Sequence, residues 1–370
     1  MPEDFANLHV LGVTSDGRAL HTIRSPTAWT PFGQIPGLPD PTLDPAVDVA
    51  CVRRVPVPPE TTPNTQGLWA FIAFENSPPR LLFRDSDTTG WSTIPANILP
   101  LPIATRVAVT VSPGVAPPND PTDPGGPRAY VHLTVVSKAT PVDQGRLISA
   151  IMQNRGAGGI SSAIAEVQTS GAGDLGPAAA VALAPAFSPF GGMESIASLG
   201  AVFTDGAMFF TGGGVSPSGG ASSWGPFRAR DLAPPGGPGA RPGMVLDIAL
   251  VDSSRADPMI TDTNGYMGIV RGGGDADIYG TTLGAAGWSA WDNFEIFRFL
   301  NIAIIDTEPA VFSRLDMSKA TEGLHVVGVG QGQIFHQLRP LSYPGTAIFR
   351  DVELAGMGTD VGNFIAVACG

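Results

Sequence analysis

One four-residue pattern constrains this fold more than anything else in the chain: a variable position, then Val or Ile, then Ala, then an apolar residue. It occurs six times, as Asp48-Val49-Ala50-Cys51, Arg106-Val107-Ala108-Val109, Ala180-Val181-Ala182-Leu183, Asp247-Ile248-Ala249-Leu250, Asn301-Ile302-Ala303-Ile304 and Ala366-Val367-Ala368-Cys369. The first residues stand 58, 74, 67, 54 and 65 apart, and counting on from 366 past residue 370 to 48 gives 52. That last interval belongs to the same series, so the repeat closes on itself. Units of this length that cannot bury their own faces, each about four strands arranged radially, make a β-propeller. The expected fold is therefore all-β: a six-bladed β-propeller of four-stranded antiparallel blades, closed by a C-terminal strand that joins the N-terminal blade.

The spacing divides one domain over 1–370 into blade 1 (1–36 plus 360–370), blade 2 (45–97), blade 3 (102–170), blade 4 (177–232), blade 5 (243–297) and blade 6 (298–355). Blade 1 starts partway through: Leu8 to Val13 reads as a strand, Ser15-Asp16-Gly17 as a hairpin turn, and Leu20 to Arg24 as the return. Asn363 to Cys369 supplies its innermost strand and removes the free edges an open sheet would leave. In blade 6 the innermost strand is expected over Arg298 to Asp306, followed by Leu324 to Val329, Ile334 to Arg339 and Ile348 to Leu354. Pro113 to Pro127 reads as a long polar loop in blade 3, and Gly212 to Gly220 as a Gly/Ser loop in blade 4. Ala suits the crowded axis, while Val, Ile and Leu beside it pack between blades.

Charge narrows the partners. With 33 acidic against 21 basic residues the net charge is −12, which disfavours nucleic acid and anionic membrane, since both need a basic footprint. Charged residues are only 15%, too few for many solvated helix faces, and 47 Gly with 36 Pro call for numerous turns. Met1-Pro2-Glu3-Asp4-Phe5 lacks the basic start and apolar run of a secretory signal, and no apolar stretch approaches the roughly 18 residues of a membrane span. The expectation is a soluble, acidic repeat protein whose compartment stays open. Cys51 and Cys369 share a repeat position on neighbouring blades, and packed sheets about 10 Å apart hold them beyond disulfide reach, so both are expected as free buried thiols.

Units built as Leu8-His9-Val10-Leu11-Gly12-Val13-Thr14-Ser15-Asp16-Gly17, then His21-Thr22-Ile23-Arg24, then Trp29-Thr30-Pro31-Phe32-Gly33 resemble the tandem repeats of bacterial propeller proteins. More loosely they look like tectonin-type and related bacterial propeller lectins. Residues 8–35 and 324–339 carry the resemblance, and Leu324 to Val329 with Phe335 to Arg339 matches the first hairpin nearly position for position. The resemblance implies sugar sites between blades or at blade tops, made from an aromatic ring, an arginine and carboxylate or amide groups, because C–H faces stack on rings and hydroxyls need fixed donors and acceptors. The positions that match are Trp29, Trp91, Trp224, Trp288 and Trp291 with Arg24, Arg84, Arg271 and Arg339. Blades 3 and 6 depart, with Ile160 and Ile348 at the aromatic position. The competing role for the tryptophans is to wedge neighbouring blades together at the wider radius.

Other candidates are weaker. His9, His21, His325 and His336 look like a metal set, but equivalent positions on adjacent blades lie too far apart to share one ion. Asp85-Ser86-Asp87 and Asp262-Thr263-Asn264-Gly265 place oxygen ligands as a structural Ca2+ would need, without a complete calcium loop; otherwise no cofactor is implied. Asp48, Arg106, Asp247 and Asn301 hold the variable position and would meet near the axis, as a polar ring that forms a site or satisfies strand ends. Gly328-Val329-Gly330-Gln331-Gly332 sits in a hairpin and opens no helix, so it is no dinucleotide loop. The sequence thus favours a non-catalytic, lectin-like carbohydrate-binding propeller with a glycan or small-molecule ligand. The alternatives are an enzyme at the axial channel mouth, a hydrolase or cyclase helped by a metal, and a protein-interaction scaffold using the long loops.

Overall fold

Leu8 to Val13 is apolar without alternation, as suits a strand covered on both faces. In the computed structural model of the chain it becomes β1 (Leu8–Thr14), buried throughout and paired antiparallel with β2 (Ala19–Arg24), Leu8 opposite Arg24 and Val13 opposite Ala19. Gly17 makes the turn at φ +82°, where a Cβ would also lie 2.2 Å from that of Pro45. The structure describes residues 7–25, 28–53, 67–84, 89–95, 98–116, 126–138, 145–154, 160–166, 175–185, 195–215, 223–225, 227–229, 244–251, 265–272, 278–284, 287–288, 291–293, 312–320, 323–339, 353–356 and 361–370. Among these there is no α-helix, and no helix is long and apolar enough to cross a membrane.

Six antiparallel sheets repeat that hairpin. The first runs β26 (Phe364–Cys369), β1, β2, β3 (Gly33–Gln34), and the second β4 (Ala46–Arg53), β5 (Leu68–Phe74), β6 (Arg80–Arg84), β7 (Ser92–Thr93). The third runs β8 (Ala104–Ala116), β9 (Gly126–Ser137), β10 (Leu147–Asn154), β11 (Ile160–Glu166). In the fourth, β12 (Ala178–Pro185), β13 (Ser195–Phe203), β14 (Met208–Val215) and β15 (Ser223–Trp224) follow one another, and the short β16 (Arg228–Ala229) also pairs with β14. The fifth has β17 (Val245–Val251), β18 (Gly265–Arg271), β19 (Ile278–Gly284) and β20 (Gly287–Trp288), with β21 (Asp292–Asn293) also on β19. The sixth has β22 (Phe312–Ala320), β23 (Gly323–Gly330), β24 (Gln333–Arg339) and β25 (Glu353–Leu354). Two sheets thus carry a fifth strand where four were expected.

The six first strands touch in an unbroken cycle, β4 to β8 to β12 to β17 to β22 to β26 and back to β4. Each carries a register shift near its start, which leaves Val47, Thr105, Ala179, Leu246, Ser313 and Ile365 without a partner across the ladder. Such a bulge bends the strand and frees a backbone amide, so it fixes a common frame for all six. In that frame the residues after the bulge are Asp48, Arg106, Ala180, Asp247, Arg314 and Ala366. Five open the repeated tetrad, and the sixth corrects the sequence reading: the inner strand of the last sheet is β22, with Arg314-Leu315-Asp316-Met317 in place of Asn301-Ile302-Ala303-Ile304. Asn301 itself, and the expected strand over Arg298 to Asp306, lie outside the described residues. The expected loop at Pro113 to Pro127 is also shorter, because β8 and β9 stay paired out to Ala116 and Gly126.

Apolar clusters fill the spaces between sheets. Trp69, Phe71, Ile94 and Leu99 of the second meet Val107, Val109 and Leu133 of the third, while Leu11 and Val13 of the first meet Val49, Cys51 and Phe74 of the second. The last strand ties the ends together: Val10 pairs with Cys369 and Val13 with Ala366, and His9 and Gly370 exchange two backbone hydrogen bonds of 3.0 Å. Cys51 and Cys369 are free and buried, and burial pushes both thiols well above their ordinary range.

Candidate functional site

The strand register sorts the arginines. Arg24, Arg84 and Arg339 each end the third strand of a sheet, opposite Leu8, Leu68 and Leu324, and so are equivalent. Arg271 is different: it ends the second strand of the fifth sheet, opposite Val245 beside the bulge, and therefore sits at the other end of its sheet. Its side chain lies outside the described residues.

Between the first two sheets the chemistry gathers. The Arg84 guanidinium carbon stands 5.5 Å from the centre of the Trp91 ring, within cation–π range, and Trp91 meets His21 edge-on at 5.4 Å. Arg84 Nη1 is 3.4 Å from His21 Nδ1, and His21 Nε2 is 2.9 Å from His9 Nδ1. A guanidinium only donates, so His21 Nδ1 accepts, the His21 proton rests on Nε2, and that N–H donates to His9. Arg84 and His9 are buried, whereas His21 and Trp91 are half-buried, which leaves this cleft open to solvent on one side.

The equivalent place between the sixth and first sheets is closed. His325 Nδ1 and His336 Nε2 are 2.9 Å apart with both rings buried, and Trp29 lies edge-on to His336 at 5.5 Å. Trp29 is only 8% exposed, and Arg339, 2% exposed, lies on the other face of β24, that of Phe335 toward the fifth sheet. The four histidines therefore form two separate pairs, each within one sheet. A third sheet carries the same residue: His132 stands five positions before Ser137, as His9 stands before Thr14 and His325 before Gly330, and its Nε2 is 3.0 Å from Ser112 Oγ. Burial lowers the pKa of His132 to about 4. Sequence reasoning passed it over, although Val131-His132-Leu133 echoes Leu8-His9-Val10 and Leu324-His325-Val326.

The remaining tryptophans sit where sheets meet. Trp224, half-buried, packs on the cluster that joins Val136 and Leu147 of the third sheet to Leu199 and Phe203 of the fourth. Trp291 packs on the one joining Met208 of the fourth to Ile248 and Ile269 of the fifth. Neither Trp29 Nε1 nor Trp224 Nε1 finds an acceptor among the described residues, in keeping with a mainly apolar wedge. Trp288 pairs with Leu283 in β20, and its side chain lies outside the described residues, as do Asp85-Ser86-Asp87, residues 262–264 and Ile348.

On the axis the post-bulge residues form a polar ring, with Arg314 where Asn301 was expected. Asp48 Oδ2 accepts from Val107 N and Asp247 Oδ2 from Leu315 N, each at 2.9 Å, so each carboxylate satisfies an edge amide of the next sheet's innermost strand. Burial raises the pKa of both, against the pull of Arg106 and Arg314. Asp316 takes the place of the repeated alanine: it accepts from Cys369 N at 2.9 Å, and burial, opposed by its backbone hydrogen bonds, lifts it to about 7. Among the described residues no three His, Cys, Asp or Glu are grouped to hold a metal ion.

No family model matches the chain, and no curated protein matches it. Solved structures do. A mutant of AofleA from Arthrobotrys oligospora is 11% identical with a TM-score of 0.55, over 98% of this chain and 90% of that one. The fucose-specific lectin from Aleuria aurantia is 11% identical with a TM-score of 0.50, over 95% and 92%. SapL1 lectin in complex with alpha methyl fucoside is also 11% identical with a TM-score of 0.50, over 95% and 94%. At such identities the likeness is one of fold alone.

Proposed function

We propose that the chain is a closed six-bladed propeller that binds carbohydrate without catalysis, and that its sugar site is the cleft between the first two sheets. The observation that carries this reading is the half-buried Trp91 ring held beside Arg84 and His21 at 5.5 and 5.4 Å. An indole face receives the C–H face of a sugar, while the guanidinium and imidazole give its hydroxyls fixed partners. Support from outside the chain comes from neighbours of the same fold that are lectins, one fucose-specific and one holding alpha methyl fucoside. Arg24, half-buried at the end of β2, shares the face of Leu20 toward the sixth sheet and so lies outside this cleft. Trp29, Trp224 and Trp291 with Arg339 are proposed to secure the seams between sheets, and Trp288 remains a candidate for a second site without Arg271, which stands at the far end of the fifth sheet.

A glycan array followed by calorimetry tests the reading. Trp91→Ala is expected to weaken the best glycan about tenfold or more, about 1.4 kcal/mol or above. Trp29→Ala is expected to leave affinity unchanged and to lower stability by about 3 kcal/mol, the cost of truncating a buried aromatic. Absence of any bound glycan at millimolar concentration, or undiminished binding by Trp91→Ala, would overturn it.

A further inference from the structure

The side chains that meet in the cleft between the first two sheets share a chemical bias. On the second sheet Arg53 stands opposite Leu68 and Leu68 opposite Arg84, and Leu68 packs with Leu11 and Val13 across the seam. Residues directly opposite each other on a ladder point to one face, so both arginines are on the cleft side. On the first sheet His21 stands opposite Leu11 and His9 is two positions before it, which turns both imidazoles toward the same cleft. Arg53, His21 and Trp91 are half-buried, and Arg84 is 7% exposed between them and the core.

These side chains offer a ligand donors. A guanidinium and an indole N–H only donate. The lone pair of His21, on Nδ1, already faces Arg84 Nη1 at 3.4 Å, and its Nε2–H goes to His9. Among the described residues, the strands place no Asp, Glu, Asn or Gln on these two faces. The acids of the first two sheets gather elsewhere. Asp16 lies in the hairpin turn at the opposite end, where the Asp44 and Glu75 segments also meet, and Asp48 reaches Val107 N of the third sheet.

A neutral sugar brings hydroxyl donors as well as acceptors, and a donor buried without a partner costs about 1–3 kcal/mol. A carboxylate or sulfate only accepts, and against a guanidinium it makes paired, charge-assisted hydrogen bonds. We propose that this cleft selects acidic sugars: the ring lies on Trp91, the acidic group turns to Arg84, and Arg53 adds its charge from the inner strand. The proposal rests on the sugar-binding reading above and narrows it to one class of ligand.

Calorimetric titration of the full chain with galactose, galacturonic acid and galactose sulfated on its exocyclic oxygen tests this, since the three share one ring and differ beyond it. The better acidic sugar is expected to bind about tenfold or more tighter than galactose, and which one leads identifies the acidic group. Added salt should shrink that advantage. Arg84→Lys keeps the charge and loses the planar fork, so it should weaken the acidic sugar about tenfold. Arg53→Gln, at a half-buried position, guards against loss of fold and should weaken it about threefold. Arg80→Gln, at the far end of the strand that carries Arg84, should change neither. Galactose bound as tightly as both acidic sugars, and lost in Trp91→Ala, would overturn this inference and leave the sugar reading standing. An acidic preference that survives Arg84→Lys and Arg53→Gln would also overturn it. Binding of none of the three overturns it as well, and the glycan array then decides the wider reading on its own.

Discussion

A chain stopped at Gly362 is expected to aggregate and to lose its single cooperative melting transition. The cut removes β26, and with it the partner of β1 and a strand that touches both β4 and β22 in the inner ring. Phe364, Ala366, Val367, Ala368 and Cys369 are all buried, so their loss forfeits on the order of 5–10 kcal/mol of apolar burial. That is comparable with the whole stability of an ordinary domain, about 5–15 kcal/mol. The unpaired edge of β1 would then recruit strands from other chains. Size-exclusion chromatography and circular dichroism check the result, and a peptide spanning 361–370, added in trans, should restore part of the fold. A truncated chain that elutes and melts like the full one would mean that the inner cycle does not depend on this strand.

The second large effect concerns Asp316, the carboxylate that stands where five other inner strands carry alanine. Its pKa rises from the ordinary 3.8 to about 7 on folding, chiefly through burial. The folded state therefore holds a proton that the unfolded state gives up. Stability from this group is full below pH about 4 and is lost as pH climbs through about 7. Three units correspond to about 4 kcal/mol at the ceiling, and the half-buried position facing the axis reduces the expected value to about 2 kcal/mol. Asp316→Asn keeps an acceptor for Cys369 N and discards the charge, so it should gain about 2 kcal/mol at pH 8 and nothing at pH 4. Urea unfolding of both proteins at the two pH values measures this. Equal midpoints at pH 8, or a gap that persists at pH 4, would contradict the assignment. Asp316→Ala is the poorer probe because it strands the Cys369 amide, at about 1–3 kcal/mol.

Asp316 also explains where the sequence misled. Alanine was the diagnostic letter of the inner strand, and the sixth sheet replaces it with aspartate, while Asn301-Ile302-Ala303-Ile304 carries the pattern outside the strand that pairs with β23. Period and closure remained readable because five copies follow the bulge in the same frame and because Leu324 to Arg339 repeats Leu8 to Arg24. Arginine placement was readable only in part. Arg24, Arg84 and Arg339 share a register that their flanking letters reveal, but nothing around Arg271 tells the end of a second strand from the end of a third. The sequence could list tryptophans at the heads of outer strands without separating buried Trp29 from half-buried Trp91, since that difference arises from how neighbouring sheets lean together. The charge ring was readable at Asp48, Arg106 and Asp247; its fourth charged member was hidden until Arg314 took the place given to Asn301.

The carboxylates that latch one sheet to the next are unevenly distributed. Asp48 reaches the third sheet, Asp247 the sixth and Asp316 the first, whereas among the described residues no aspartate on an inner strand bridges from the first sheet to the second, the third to the fourth or the fourth to the fifth. Those three seams are joined by main-chain hydrogen bonds instead, Ala46 N to Gly17 O, Ala178 N to Gly145 O and Val245 N to Gly206 O, beside their apolar contacts, and the first also by Arg84 and His21. The circle is stitched by carboxylates on some joins and without them on others, and the cleft beside Trp91 lies on a join of the second kind. A guest entering beside Trp91 would therefore displace no carboxylate latch.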